Sequence, residues 1–450
     1  FGGFFLDREK GMKSQSFKRL FGNIDYYLLF SCFLLCALGI VAIYSSGIDA
    51  EGVTVSNEYL KQIIWFGIGV FLLIAAAVFD FSRYKDMVWI LFAFAILLLI
   101  ITLLAGKVVN GARSWLGIGG IGIQPAEFMK IATVLMLARY LESAEFDSSF
   151  KKLLMTGLIM SIPLALILAQ PDFGSALVFI PAALVMLTLA DVDFQYILFG
   201  VLSIVGVFLF LSLPLYASNH PNPENILFTA ITNKNVLIAI LIFILVISII
   251  SGIGWLKFKK RYYYWLSYSM AILAISTIGA IIAHSILKPY QIMRLLVFID
   301  PSIDPKGSGW NILQSITAIG SGGFWGKGFL QGTHSHARYI PQQSTDFIFS
   351  IIAEEFGFVG CIVLFILYGI LFFRCIVLIE TSKDRFSQYV IGGLLGIFAF
   401  HFMINIGMAM GIMPVTGIPL YFVSYGGSSL WTGLISIGIL TGISARRYSA

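Results

Sequence analysis

The sequence predicts an all-α polytopic membrane protein, and three observations carry that prediction. Hydrophobic residues make up 58% of the chain and charged residues only 12%, where water-soluble proteins carry roughly a quarter charged. The apolar residues gather in runs of about 20, the length that crosses a bilayer as helix. The basic residues collect between alternate runs, as the positive-inside rule requires. The formal charge of +6 therefore belongs to membrane topology and not to nucleic-acid binding. Cys32, Cys36, Cys361 and Cys375 lie in or at the ends of apolar runs. They read as small packing residues, neither a disulfide framework nor a metal site.

Residues 1–24 read as a cytoplasmic tail with no cleavable signal, and residues 1–11, ahead of Met12, as a leftover or linker. The rest, 25–450, reads as one transmembrane domain. About twelve spans are expected from run length, near 26–47, 61–80, 86–105, 125–142, 152–170, 173–190, 195–215, 235–256, 264–287, 346–374, 388–411 and 426–445. Glu127 and Lys130 interrupt the fourth, and only Gln170-Pro171-Asp172 separates the fifth from the sixth. A cytoplasmic N-terminus places Arg83, Lys85, Arg139, Lys151, Lys152, the Lys257–Arg261 cluster, Arg374 and Arg385 inside. Both termini are then cytoplasmic, and the polar interval 288–345 is a large outward loop.

That interval holds two Asp-Pro steps, at Asp300 and Asp304, yet keeps Trp310, Ile312, Leu313, Phe324, Trp325 and Phe329. A disordered linker lacks such residues, so it reads as a folded working surface. Asp304 is the leading general-base candidate, since a carboxylate at a cavity mouth can take a hydroxyl proton. Asp-Pro also initiates turns, and Asp300 competes for the role. Arg113, Arg294 and Lys327 have the chemistry to hold a diphosphate, or they snorkel at the interface. Glu127 and Lys130 share one helix face, as a cavity pair or as a structural salt bridge. Asp172 falls on the same side of the membrane. The run GSGGFWGKG (320–328) lacks the context of a nucleotide loop and reads as tight turns. His334 and His336 lack the partners of a metal site. His401 and Asn405 read as interhelical hydrogen bonds. No Walker loop, zinc set or nucleophile elbow appears. An outward reaction then needs a substrate carrying its own activation, such as a lipid-linked diphosphate sugar.

The C-terminal run NIGMAMGIMPVTGIPLYFVSYGGSS (405–429) and the blocks QPAEFMK (124–130), QPDFGSA (170–176), DPKGSGWN (304–311) and PQQSTDFIF (341–349) resemble the SEDS family (shape, elongation, division and sporulation). IGSGGFWGKGFLQGTHS is more similar to its RodA branch than to its FtsW branch. The resemblance implies a SEDS-type helical bundle in the bacterial cytoplasmic membrane. It implies a peptidoglycan glycosyltransferase polymerising lipid II into β-1,4-linked strands during elongation. A class B penicillin-binding protein and other elongation-complex membrane proteins would be its partners. It maps the essential loop aspartate onto Asp304, as general base. Arg113, Glu127, Lys130, Asp172 and Arg294 match positions around the cavity, and the leaving diphosphate would be met by Arg or Lys, with a divalent cation such as Mg2+ as an option. The two helices near 235–256 and 264–287 are additions to the usual ten spans. Gln342 stands where Glu is common and Trp310 where Tyr is usual. The rival readings are a lipid II flippase, which needs access from both faces, and a non-catalytic scaffold. No internal repeat supports the flippase, and the polar groups gather on one side.

Overall fold

Long apolar runs close their backbone hydrogen bonds within helices because lipid offers no partner for them. The computed structural model describes residues 23–109, 111–118, 121–219, 234–286, 293–294, 297–298, 300, 303–304 and 307–446. The expected tail and its first 11 residues lie outside the described residues. The first three runs form α1 (Tyr26–Ser46), α2 (Glu58–Val78) and α3 (Phe81–Ala105). A small antiparallel sheet follows in the order β1 (Lys107–Val109), β2 (Ala112–Ile118), β3 (Ile121–Ile123). Next come α4 (Pro125–Ser143), α5 (Ser149–Ala169), α6 (Phe173–Leu177) and α7 (Phe179–Leu189). The sixth expected span is thus broken at Val178, which ends α6 and begins α7. The chain continues through α8 (Phe194–Asn219), α9 (Lys234–Phe258) and α10 (Arg261–Ile286). It ends with α11 (Ser308–Ser321), α12 (Thr333–His336), α13 (Ile348–Thr381), α14 (Arg385–Ala409) and α15 (Gly427–Arg446).

Among the described residues, ten helices are long and apolar enough to cross a membrane. Helix α4 is not one of them, and α6 and α7 together make a shorter apolar stretch. The interval 288–345 is not all loop, because α11 and α12 fall within it. Its serines and glycines hid the helical spacing of Ile312, Ser315 and Ala318, all three buried.

The described contacts form two compact units, 1–191 with 311–450 and 192–310. In the first, α2 packs along α15, α1 against α13, and α14 against both α4 and α7. The α2–α15 backbones run so close that a Cβ on Gly438 would sit 2.4 Å from the Leu73 carbonyl oxygen. Small residues permit this approach between membrane helices. At one end, Asp25 caps α1 by accepting from the Leu28 amide at 3.1 Å, and meets Arg374 of α13 at 2.6 Å. In the second unit, α10 packs against both α8 and α9. Tyr264 and Tyr268 of α10 each donate to Gln195 at 2.7 Å, one to its side chain and one to its carbonyl. All four cysteines are buried free thiols.

Candidate active site

Helices α14 and α15 are joined by a non-helical strap, 410–426, with much of its chain buried. Its backbone groups are met by side chains from three helices and by one backbone carbonyl, as buried backbone requires. Gln62 of α2 donates to the Ser424 carbonyl and accepts from the Gly426 amide, both at 3.2 Å. Asn405 of α14 donates to the Ile418 carbonyl at 2.8 Å and to the Asp346 carbonyl at 2.9 Å. Tyr368 of α13 donates to the Tyr421 carbonyl. The Tyr425 amide bonds the Ser344 carbonyl at 2.9 Å.

Against this strap lies a buried quartet. Lys130 meets Glu127 at 2.6 Å, His401 Nε2 at 3.1 Å and the Tyr421 hydroxyl at 3.3 Å. Tyr421 donates to the other Glu127 oxygen at 2.7 Å. His401 Nδ1 lies 2.8 Å from the Pro419 carbonyl and must donate to it, so Nε2 accepts from the Lys130 ammonium and the ring is neutral. Glu127 and Lys130 are 2% and 1% exposed, so water reaches neither. Their charges cancel within the buried quartet. The i,i+3 pair was legible in the sequence. Tyr421 and His401 were not identified as its partners, although a tyrosine in an apolar run signals a hydroxyl needing one.

Asp172 caps α6 through the Ser175 amide at 3.1 Å and accepts from Gln124 Nε2 at 2.7 Å. The Gln124 amide in turn donates to Ser428 Oγ of α15 at 2.9 Å. Arg113, on β2, is held by its amide to the Gln170 carbonyl at 3.1 Å. Among the described residues its exposed guanidinium meets one protein oxygen, Leu104 O at 3.4 Å.

The tandem Glu354–Glu355 of α13 anchors the segment before it. Glu354 accepts from Lys327 at 2.7 Å, the His334 amide at 2.8 Å and the Ser335 amide at 3.0 Å, so it both pairs with Lys327 and caps α12. Glu355 meets His336 at 3.1 Å and Ser45 of α1, and His336 also touches the Ile48 carbonyl at 2.9 Å. The glycine run forms tight turns with its backbone laid on α13. The Lys327 and Gly328 amides bond the Glu354 and Glu355 carbonyls at 3.0 Å, and the Phe358 amide returns to Gly323 O at 3.0 Å. Helix α13 gives up its own bonding there at Gly357, which has φ 61°.

Arg113, Asp172, Lys327 and the two glutamates thus belong to the same end of the first unit, while Glu127 and Lys130 sit deeper. Arg294 and Asp304 belong to the second unit, both half-buried. The Asp304 carbonyl accepts from the Gly307 and Gly309 amides at 3.3 and 3.2 Å, leading into α11. Its carboxylate lies over Gly307, where a Cβ would be 2.2 Å from Oδ2. Among the described residues, no three His, Cys, Asp or Glu gather as metal ligands do.

The family profile for FtsW/RodA/SpoVE cell cycle proteins matches residues 26–222 and 226–449. The chain is 44% identical to the peptidoglycan glycosyltransferase RodA of Treponema pallidum (strain Nichols), covering 94% of this chain and 98% of that one. It is 28% identical to the peptidoglycan glycosyltransferase MrdB of Escherichia coli (strain K12), covering 94% of each. It also resembles a solved chain from a peptidoglycan synthase complex described as coordinating polymerization and crosslinking. That likeness has a TM-score of 0.69 and 25% identity, covering 95% of this chain and 99% of that one.

Proposed function

Because this chain belongs to the FtsW/RodA/SpoVE family of cell cycle proteins, we infer that it is a peptidoglycan glycosyltransferase of the RodA type. It is a multi-pass protein of the bacterial cytoplasmic membrane, polymerises lipid II during elongation and works with a class B penicillin-binding protein. The 44% identity along nearly the whole Treponema relative carries this reading. Twelve crossings, with both termini cytoplasmic, follow if α4 and the broken α6–α7 stretch join the ten longer helices. Burial of the Glu127–Lys130 pair inside the unit makes such a crossing tolerable for α4.

Asp304 is the general base. Its carboxylate takes the proton from the 4-hydroxyl of the acceptor GlcNAc as that oxygen attacks the anomeric carbon of the donor MurNAc. The bond from that carbon to the diphosphate breaks, and its electron pair leaves on undecaprenyl diphosphate. One inversion turns the α-linked donor into a β-1,4 product. Arg294, in the same unit as Asp304, meets the leaving diphosphate, a role suited to a forked guanidinium. Lys327 contributes through the segment it holds, since its ammonium is engaged by Glu354 and Thr333. Asp172, Glu127 and Lys130 fix the wall.

The test is polymerisation of purified lipid II by the protein with its penicillin-binding partner, whose crosslinking serine is inactivated. Asp304→Ala should lower the rate at least about 100-fold, the lower range for general-base removal, at unchanged folding. Polymer from the variant at the wild-type rate would move the base to another residue, with Asp300 next. No polymer from the wild type, with the partner bound, would return the translocation reading.

A further inference from the structure

The turn between α9 and α10 carries Lys257, Lys259, Lys260 and Arg261, four cations in five positions. All four are exposed, as are Phe258 and Tyr262 between and beside them. From 234 to 286 the two helices contain no Asp or Glu. Among the described residues no ion pair joins any of the four to an acid. Asp193 stands just before the neighbouring helix α8, close enough for its charge to act on Tyr264. The cluster therefore presents a concentrated charge that no ion pair among the described residues neutralises.

Directly behind the cations lies a ring of aromatic side chains. Phe258 stacks on Tyr263 at 5.8 Å, Tyr262 contacts Tyr263 at 4.2 Å, Trp255 meets Tyr264 at 5.6 Å and Trp265 meets Tyr268 at 5.5 Å. Trp255 and Trp265 are 42% and 48% exposed. Exposed Trp and Tyr at the end of an apolar helix mark the level of lipid headgroups. The cations lie between Trp255 and Trp265 in the sequence, where two membrane-length helices meet.

We propose that the α9–α10 turn is a binding site for anionic phospholipid headgroups, with Lys257, Lys259, Lys260 and Arg261 meeting the phosphate and the aromatic ring seating the upper acyl chains. Such basic clusters beside membrane helices attract anionic lipid, each charge strengthening attraction by about fivefold near the surface. The proposal does not depend on the transferase reading, because it uses no residue of that site.

The experiment titrates phosphatidylglycerol, and separately phosphatidylcholine, into the full-length protein in neutral detergent, with bound lipid counted by native mass spectrometry. The wild type should retain phosphatidylglycerol in preference to phosphatidylcholine, and added salt should weaken it. Lys257→Gln, Lys259→Gln, Lys260→Gln and Arg261→Gln together should abolish the preference, and each alone should weaken it by about fivefold. Lys257→Arg, Lys259→Arg and Lys260→Arg together should keep it, separating charge from local folding. The proposal is overturned if the fourfold Gln variant retains phosphatidylglycerol as the wild type does. It is also overturned if the wild type holds both lipids equally, or if inorganic phosphate at fixed ionic strength displaces the lipid, which would make the ligand a soluble anion.

Discussion

Gly307 is the residue on which the placement of the proposed base depends. Its missing side chain is the space that the Asp304 carboxylate occupies, 2.2 Å from where a Cβ would be. Gly307→Ala must push that carboxylate aside or shift the turn leading into α11. We expect the polymerisation rate to fall by about 10- to 100-fold, since misplacement of a catalytic group by about an ångström can cost roughly 100-fold. The effect should fall on turnover, with unchanged thermal unfolding. Wild-type turnover would show that the carboxylate need not lie there. The pairing of Glu127 with Lys130 was legible because helical spacing is a local signal, whereas Asp304 stood out from Asp300 only through the family resemblance. The sequence did not identify Gly307, whose role depends on a carboxylate folding back over it. Nor did it bring His401 and Tyr421 to Lys130, since side chains so distant in sequence meet only through packing.

Helices were legible wherever apolar runs reached membrane length, and α9 and α10 fall close to their expected bounds. The β1–β3 sheet was missed because its strands are short and the residues flanking and joining them are rich in glycine, which favours turns over strands. Helix α11 was missed because serine and glycine border its apolar positions. The span expected near 346–374 is the 34-residue α13, and it contains a break that the glycine run laid on it explains. Gly357 combines φ 61° with a position whose Cβ would lie 2.2 Å from the Gly326 amide nitrogen. Gly357→Ala should therefore destabilise the protein by about 1–3 kcal/mol from backbone strain alone, with more from the clash. It should be read as a lower thermal midpoint in detergent. An unchanged midpoint would mean that α13 can straighten without loss.

Across the whole molecule, sidedness rests on where basic residues fall, and it can be tested directly because all four native thiols are buried. Phe146, 99% exposed between α4 and α5, belongs to the cytoplasmic side in the proposed topology, and exposed Gln331 to the outer side. In spheroplasts, Gln331→Cys should react with an impermeant maleimide at once, and Phe146→Cys only after permeabilisation. The reverse pattern would invert the protein. The seam between the glycine run and α13 has a mechanical meaning at this scale. Because main chain is bonded to main chain there, the outer part of α13 and the segment around 322–328 form a single stiff lever. Any displacement of the start of α13 would therefore carry the segment around 322–328 with it.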